Sequence, residues 1–183
     1  MCPEHFLPKS PERTLNTGLH AEIREAVSKL IQLSELRHIS FGHFESDECG
    51  SLNEWLAAAP KADVICSQVS ARVCMNDFIG RESRAVADGR TFATGKFRFR
   101  YCRTPHLPHA WDAGVLFEET QKTLLCSDLF HQNGYVEPLT SGDVVGRSHQ
   151  AMPNYWGVGR LESRIVLTSE VRIDAAAIRF LEL

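Results

Sequence analysis

The sequence predicts an α+β domain, and three observations carry that expectation. Apolar residues recur at helical spacing near the N-terminus, and a central stretch alternates with the two-residue period of a strand. The order of elements is helix, strand, loop, helix, strand, helix and then several strands in succession. At 183 residues the chain is long enough to bury one sizeable core. A hydrophobic fraction of 43% and a charged fraction of 23% are ordinary for a globular domain.

Residues 1–18 are polar and proline-rich and are expected to be loosely ordered. From 19 to 33, Leu19, Ile23, Val27, Leu30 and Ile31 form the apolar stripe of a helix, with Arg24, Glu25 and Lys29 on its other face. Arg37 to His43 reads as a strand through Ile39 and Phe41. Ser51-Leu52-Asn53-Glu54 has the form of a capping box opening a helix that Pro60 stops. Asp63 to Cys66 reads as a short strand, and Ser67 to Phe78 as a second helix weakened by β-branched residues. Asp88-Gly89 is a turn signal between Arg84–Ala87 and Thr91–Ala93. Lys96 to Arg103 alternates cleanly, placing Phe97, Phe99 and Tyr101 on one face. Gly114–Glu119 and Thr123–Ser127 form a further strand pair, and the pattern weakens after about Gly146. The division expected is a loose segment over 1–18, a core over 19–146 and an atypical tail over 147–183.

Composition narrows the partners. A net charge of −3 offers no basic excess to follow a phosphate backbone, so no nucleic acid partner is expected. No apolar run approaches the roughly 20 residues of a membrane span, and no membrane partner is expected. Met1 to Pro11 lacks the apolar stretch of a secretory signal, which leads to a cytoplasmic expectation. Cys2, Cys49, Cys66, Cys74, Cys102 and Cys126 are widely spaced without a C-x-x-C pair, and are expected to be free thiols.

Three clusters follow strands and carry chemistry. The first is His43-x-Glu45-x-Asp47, whose two-residue steps put imidazole and carboxylates on one side of an extended segment. The second is the loop Thr104 to Asp112, with His106 and His109, about 60 residues downstream. The third is Cys126-Ser127-Asp128-Leu129-Phe130-His131, about 20 residues further on. A lone histidine or aspartate at a strand end is ordinarily a hydrogen-bonding or turn residue. Three such sites in this order make a shared metal centre the better reading.

The segment from Leu36 to about Gly146 resembles the metallo-β-lactamase superfamily, through S-F-G-H-F-E-S-D-E-C-G (Ser40–Gly50) and T-P-H-L-P-H-A-W-D-A-G (Thr104–Gly114). The zinc hydrolases of that superfamily use H-x-H-x-D-H; here Glu45 takes the place of the second histidine and Glu48 that of the last. H-x-E-x-D is instead the signature of the flavodiiron and oxygen-binding di-iron branch. The resemblance implies a metallo-β-lactamase-like αββα sandwich holding two iron ions, with zinc as the alternative. It implies His43, Glu45, Asp47, His109 and Asp128 as ligands, Asp128 bridging, and His106 as the alternative to His109. Glu48, Asp112 and His131 would lie beside the site as hydrogen-bonding or solvated groups, with Glu48, His131 and His149 the further candidate ligands.

This chain departs from the pattern at both ends. Only 42 residues precede His43, where the family has a long run of strands, and the family's last histidine has no evident counterpart. The sandwich is therefore expected to be incomplete. An open sheet edge would then drive assembly into a homo-oligomer unless Ile165, Val166, Leu167, Val171 and Ile173 of the tail cover it. The function implied is a non-haem di-iron protein that binds or reduces dioxygen, with electrons from a separate redox protein and no flavin of its own. The alternatives are a zinc-dependent hydrolase acting on a small molecule, and a degenerate fragment without activity.

Overall fold

A computed structural model describes residues 6–7, 20–107, 109–131, 137 and 139–151. The described residues form two four-stranded sheets packed face to face between helices, the αββα arrangement expected. The first sheet has the order β1 (Phe6–Leu7), β2 (His38–Ser40), β3 (Asp63–Ser67), β4 (Arg84–Val86), all parallel. The second has β5 (Thr91–Thr94), β6 (Phe97–Arg103), β7 (Gly114–Glu118) and β8 (Thr123–Leu125), all antiparallel.

Burial follows from these layers. Parallel β3 has a helix layer on one face and the second sheet on the other, so Val64, Ile65, Cys66 and Ser67 are all buried. Antiparallel β6 is covered mainly on one face, and Phe97, Phe99 and Tyr101 turn inward while Arg98 and Arg100 face solvent. Those three aromatics meet Ile65, Val86, Phe92 and Leu116 between the sheets. Outside the first sheet lie α1 (His20–Ser28), α2 (Ser46–Cys49), α3 (Leu52–Ala58), α4 (Gln68–Ser70) and α5 (Asn76–Ile79). A π-helical turn, Ala71–Met75, joins the last two. Trp55, Leu52, Leu36 and Met75 anchor this layer. Outside the second sheet, Leu129, Phe130 and Val145 pack on Val115 and Leu124 through a 3-10 turn (Ser127–Phe130) and α6 (Val144–Ala151).

Several sequence expectations are adjusted. Phe6–Leu7 is a strand paired with His38 and Ile39, where a loose segment was expected; the other residues of 1–18 lie outside the described ones. The first helix is shorter than 19–33, and Leu30 is exposed while Val27 is buried. Ser51 makes no capping hydrogen bond; its side chain is fully buried at the α2–α3 junction instead. Asp88-Gly89 turns the chain, yet the strands flanking it belong to different sheets, because Arg84–Val86 pairs with β3 and Thr91–Thr94 with β6. Helix α6 occupies the region where the pattern faded, and the apolar tail residues from Ile165 onward lie outside the described residues. Cys66, Cys74 and Cys102 are free thiols, as expected; Cys2 lies outside the described residues. Among the described residues no helix is long and apolar enough to cross a membrane.

Candidate metal centre

The three clusters meet at one edge of the sandwich because of strand direction. His43 follows the C-terminal end of β2, His109 lies in the loop between β6 and β7, and Asp128 follows β8. Leu125 pairs with Leu116 and Cys102 with Val115, so the end of β6, the start of β7 and the end of β8 lie together. The Gly114 amide donates to the Gly42 carbonyl at 2.8 Å, which joins that end of the second sheet to the end of β2.

The donor atoms converge. The Nε2 atoms of His43 and His109 stand 3.0 Å apart. Asp128 Oδ2 lies 3.7 Å from each. Glu45 places Oε2 3.5 Å from His43 and Oε1 3.3 Å from His109. Among the described residues His43, His109 and Asp128 form a group able to hold a metal ion, with one ligand atom from each inside a 4.8 Å spread. His43 is buried, His109 and Asp128 are partly buried, and Glu45 opens to solvent.

Behind His43 sits Glu48, fully buried. Its Oε1 lies 3.1 Å from His43 Nδ1 and accepts from the Ser127 hydroxyl at 2.6 Å. Its Oε2 accepts from the Gly42 amide at 2.6 Å and the His43 amide at 3.1 Å. Burial alone pushes the His43 imidazolium pKa down. The Glu48 hydrogen bond and charge, with the charges of Asp128 and Glu45, outweigh burial and raise it to about 8.

The loops are held by buried contacts. Asp112 Oδ2 accepts from the Phe44 amide at 3.0 Å and so ties the first cluster to the second. Within the second loop, the His106 amide donates to Ala110 O at 2.7 Å and Thr104 to Ala113 O at 2.9 Å. Leu107 fixes the loop in the outer apolar cluster. His106 and Ala110 adopt positive φ, as does Ser127 beside Asp128. Non-glycine residues rarely adopt that conformation, and it concentrates at functional sites.

Residues 16–152 match the family model described as ODP family beta lactamase. This chain belongs to that family. The β-lactamase superfamily expected from motif order therefore holds. A search of curated proteins finds no match. Solved structures share the fold. A flavoprotein from Thermotoga maritima, 23% identical, superposes with a TM-score of 0.68 over 93% of this chain and 44% of that one. The flavodiiron protein of Giardia intestinalis, 18% identical, gives 0.69 over 86% and 40%. Rubredoxin oxygen:oxidoreductase from Desulfovibrio gigas, 18% identical, gives 0.66 over 79% and 37%. The chain spans less than half the length of these three proteins.

In this ODP-family chain the spacing of His43, His109 and Asp128 suits a metal ion. Ligands about a single first-row metal, at bond lengths of about 2.0–2.2 Å, stand roughly 3.0–3.6 Å apart. The described contacts among His43, His109, Glu45 and Asp128 run from 3.0 to 3.7 Å. The other sequence candidates are placed differently. Asp47 lies in the first turn of α2 and, like Glu45, outside the His43–His109–Asp128 group. His106 is exposed on the loop, and His131 ends the 3-10 turn, half-buried. His149 is on α6, and its side chain is outside the described set. Sequence reasoning missed Ser127 and Gly42, which make Glu48's pocket. The glycine immediately before His43 was the available signal, since close approach of backbone to a site favours glycine.

Proposed function

We propose that this chain is a non-haem iron protein that binds or reduces dioxygen, drawing electrons from a separate redox protein. The observation that supports it most is the convergence of the His43 and His109 Nε2 atoms at 3.0 Å with Glu45 and Asp128 around them. Two imidazoles with oxygen donors and no thiolate suit iron, and also accept zinc. The choice of iron rests on Glu45 standing where the zinc hydrolases have histidine. Dioxygen comes from the relatives: two similar structures are described as a flavodiiron protein and a rubredoxin oxygen:oxidoreductase.

Bound iron would supply the reducing electrons by cycling between ferrous and ferric states. The chain's own residues do the rest. His43 and His109 would give nitrogen donors, Glu45 and Asp128 carboxylate oxygens, and Asp112 and Glu48 hold the loops and the His43 ring. Glu45 stands on the open side, where a small molecule would enter. The free thiols of Cys66, Cys74 and Cys102 suit a reducing compartment, so the same proposal places the protein in the cytoplasm.

The deciding measurement is metal content after anaerobic, iron-replete expression, followed by oxygen uptake with an artificial electron donor. Iron is expected to exceed zinc, and uptake is expected to disappear with His109→Ala. Zinc dominance under those conditions would overturn the iron reading. Iron without oxygen uptake would overturn the dioxygen reading.

A further inference from the structure

We propose that this centre is built for one metal ion, and that Glu48 serves it as a positioning residue that aims His43 rather than as a ligand of a second ion. The proposal rests on the metal reading above and is independent of dioxygen.

Glu48 occupies the place of the last histidine in the superfamily's H-x-H-x-D-H pattern, where a second ion would be served. Its carboxylate points the other way. Both oxygens are engaged in a fully buried pocket, Oε1 with His43 Nδ1 and Ser127 Oγ, Oε2 with the amides of Gly42 and His43. Swinging the carboxylate toward a second ion would strip those donors of their acceptor, and each buried group left unpaired costs about 1–3 kcal/mol. The amide of Gly42 and the hydroxyl of Ser127 are on opposite chain segments, so the pocket would have to open as well as empty.

The inward position has a function for one ion. A carboxylate at Nδ1 fixes the histidine tautomer that carries its proton there, which leaves the Nε2 lone pair directed at the metal. Nε2 of His43 is the atom that faces His109, Glu45 and Asp128. Asp47, the other residue a second ion would need, sits in the first turn of α2 and, like Glu45, is not part of the His43–His109–Asp128 group. The described residues thus bring together one set of donors and a buried carboxylate behind it.

Anaerobic titration of the full, chelator-stripped chain with ferrous ion, and in parallel with cobaltous ion as an optical probe, counts the sites. One equivalent per chain is expected. Asp47→Asn should keep that equivalent with affinity within about threefold, whereas Glu45→Gln and Asp128→Asn should weaken it at least tenfold. Glu48→Gln should keep one equivalent, weaken it about 10–100-fold, and shift the His43 ring nitrogen resonances away from the Nδ1–H tautomer. Glu48→Asp should recover part of the affinity. Two equivalents in the wild type, or loss of one of two in Asp47→Asn, would overturn the proposal while leaving the metal reading intact. Binding of neither ion would sink both readings. If the Glu48 variants do not fold, the wild-type count and Asp47→Asn decide it.

Discussion

At the scale of single residues, the site depends on how closely two chain segments approach. A Cβ at Gly42 would stand 2.2 Å from Ser127 Oγ and 2.3 Å from Ser127 Cβ. Neither partner can move far. Ser127 is held at positive φ and donates to the buried Glu48, and Gly42 gives its amide to Glu48 and its carbonyl to Gly114. Gly42→Ala is therefore expected to destabilise the fold by about 1–3 kcal/mol, the range for overpacking a filled interior. Adding Ser127→Gly removes the clashing side chain and suits the positive φ. Urea denaturation of the two single variants and the double variant gives the coupling, with the double expected to be more stable than Gly42→Ala alone. Simple additivity would show that the clash is relieved elsewhere. Nothing in the string G-H-F-E-S-D-E marks Ser127 as the neighbour of Gly42, since the two are far apart in sequence and are joined only by the meeting of the sheets.

At the scale of elements, local periodicity was legible where one covering face decides burial, and illegible where contacts decide conformation. Lys96 to Arg103 alternates because one face of β6 meets the first sheet and the other meets solvent. Asp88-Gly89 was legible as a turn, but the pairing of its flanks was not, because β4 is drawn into a parallel sheet by β3. Ser51 matched a capping box, and burial of its side chain took it out of that role. The β7–β8 turn shows a local device that can be tested. Glu118 is buried and accepts from the amides of Thr120 at 2.7 Å and Gln121 at 2.5 Å. Burial raises its pKa, but those amides and the Thr120 side chain favour the carboxylate more, and the net shift is downward. A carboxylate with a depressed folded-state pKa adds stability that is present above its unfolded value and lost as pH falls through the folded one. Glu118→Gln is therefore expected to lower stability near neutral pH and to flatten the acid limb of a pH–stability curve. An acid limb unchanged in slope would place the acid sensitivity in other groups.

At the scale of the whole molecule, the candidate ligands come from both halves of the sandwich. His43 and Glu45 follow a strand of the parallel sheet, while His109 and Asp128 belong to the antiparallel one. An ion held by all four would fasten the two sheets at one edge, and the aromatic cluster of Phe92, Phe97, Phe99 and Tyr101 holds them further inside. The two fastenings differ in kind. The aromatic cluster is permanent, and truncating Phe99 to alanine is expected to cost about 3–5 kcal/mol with or without metal. The ion stabilises only the folded state, by an amount set by its free concentration over Kd, about 2.7 kcal/mol at a hundredfold excess. For a chain of this size that corresponds to a rise in Tm on the order of 5–11 °C. Thermal melts of the chelator-treated protein with increasing ferrous ion should show this rise in the wild type and in Phe99→Ala, from a lower starting point in the latter. Asp128→Ala and His43→Ala should each abolish it, since each removes a donor from a different sheet. If one of them keeps the full shift, the ion is held from one side only and does not join the sheets.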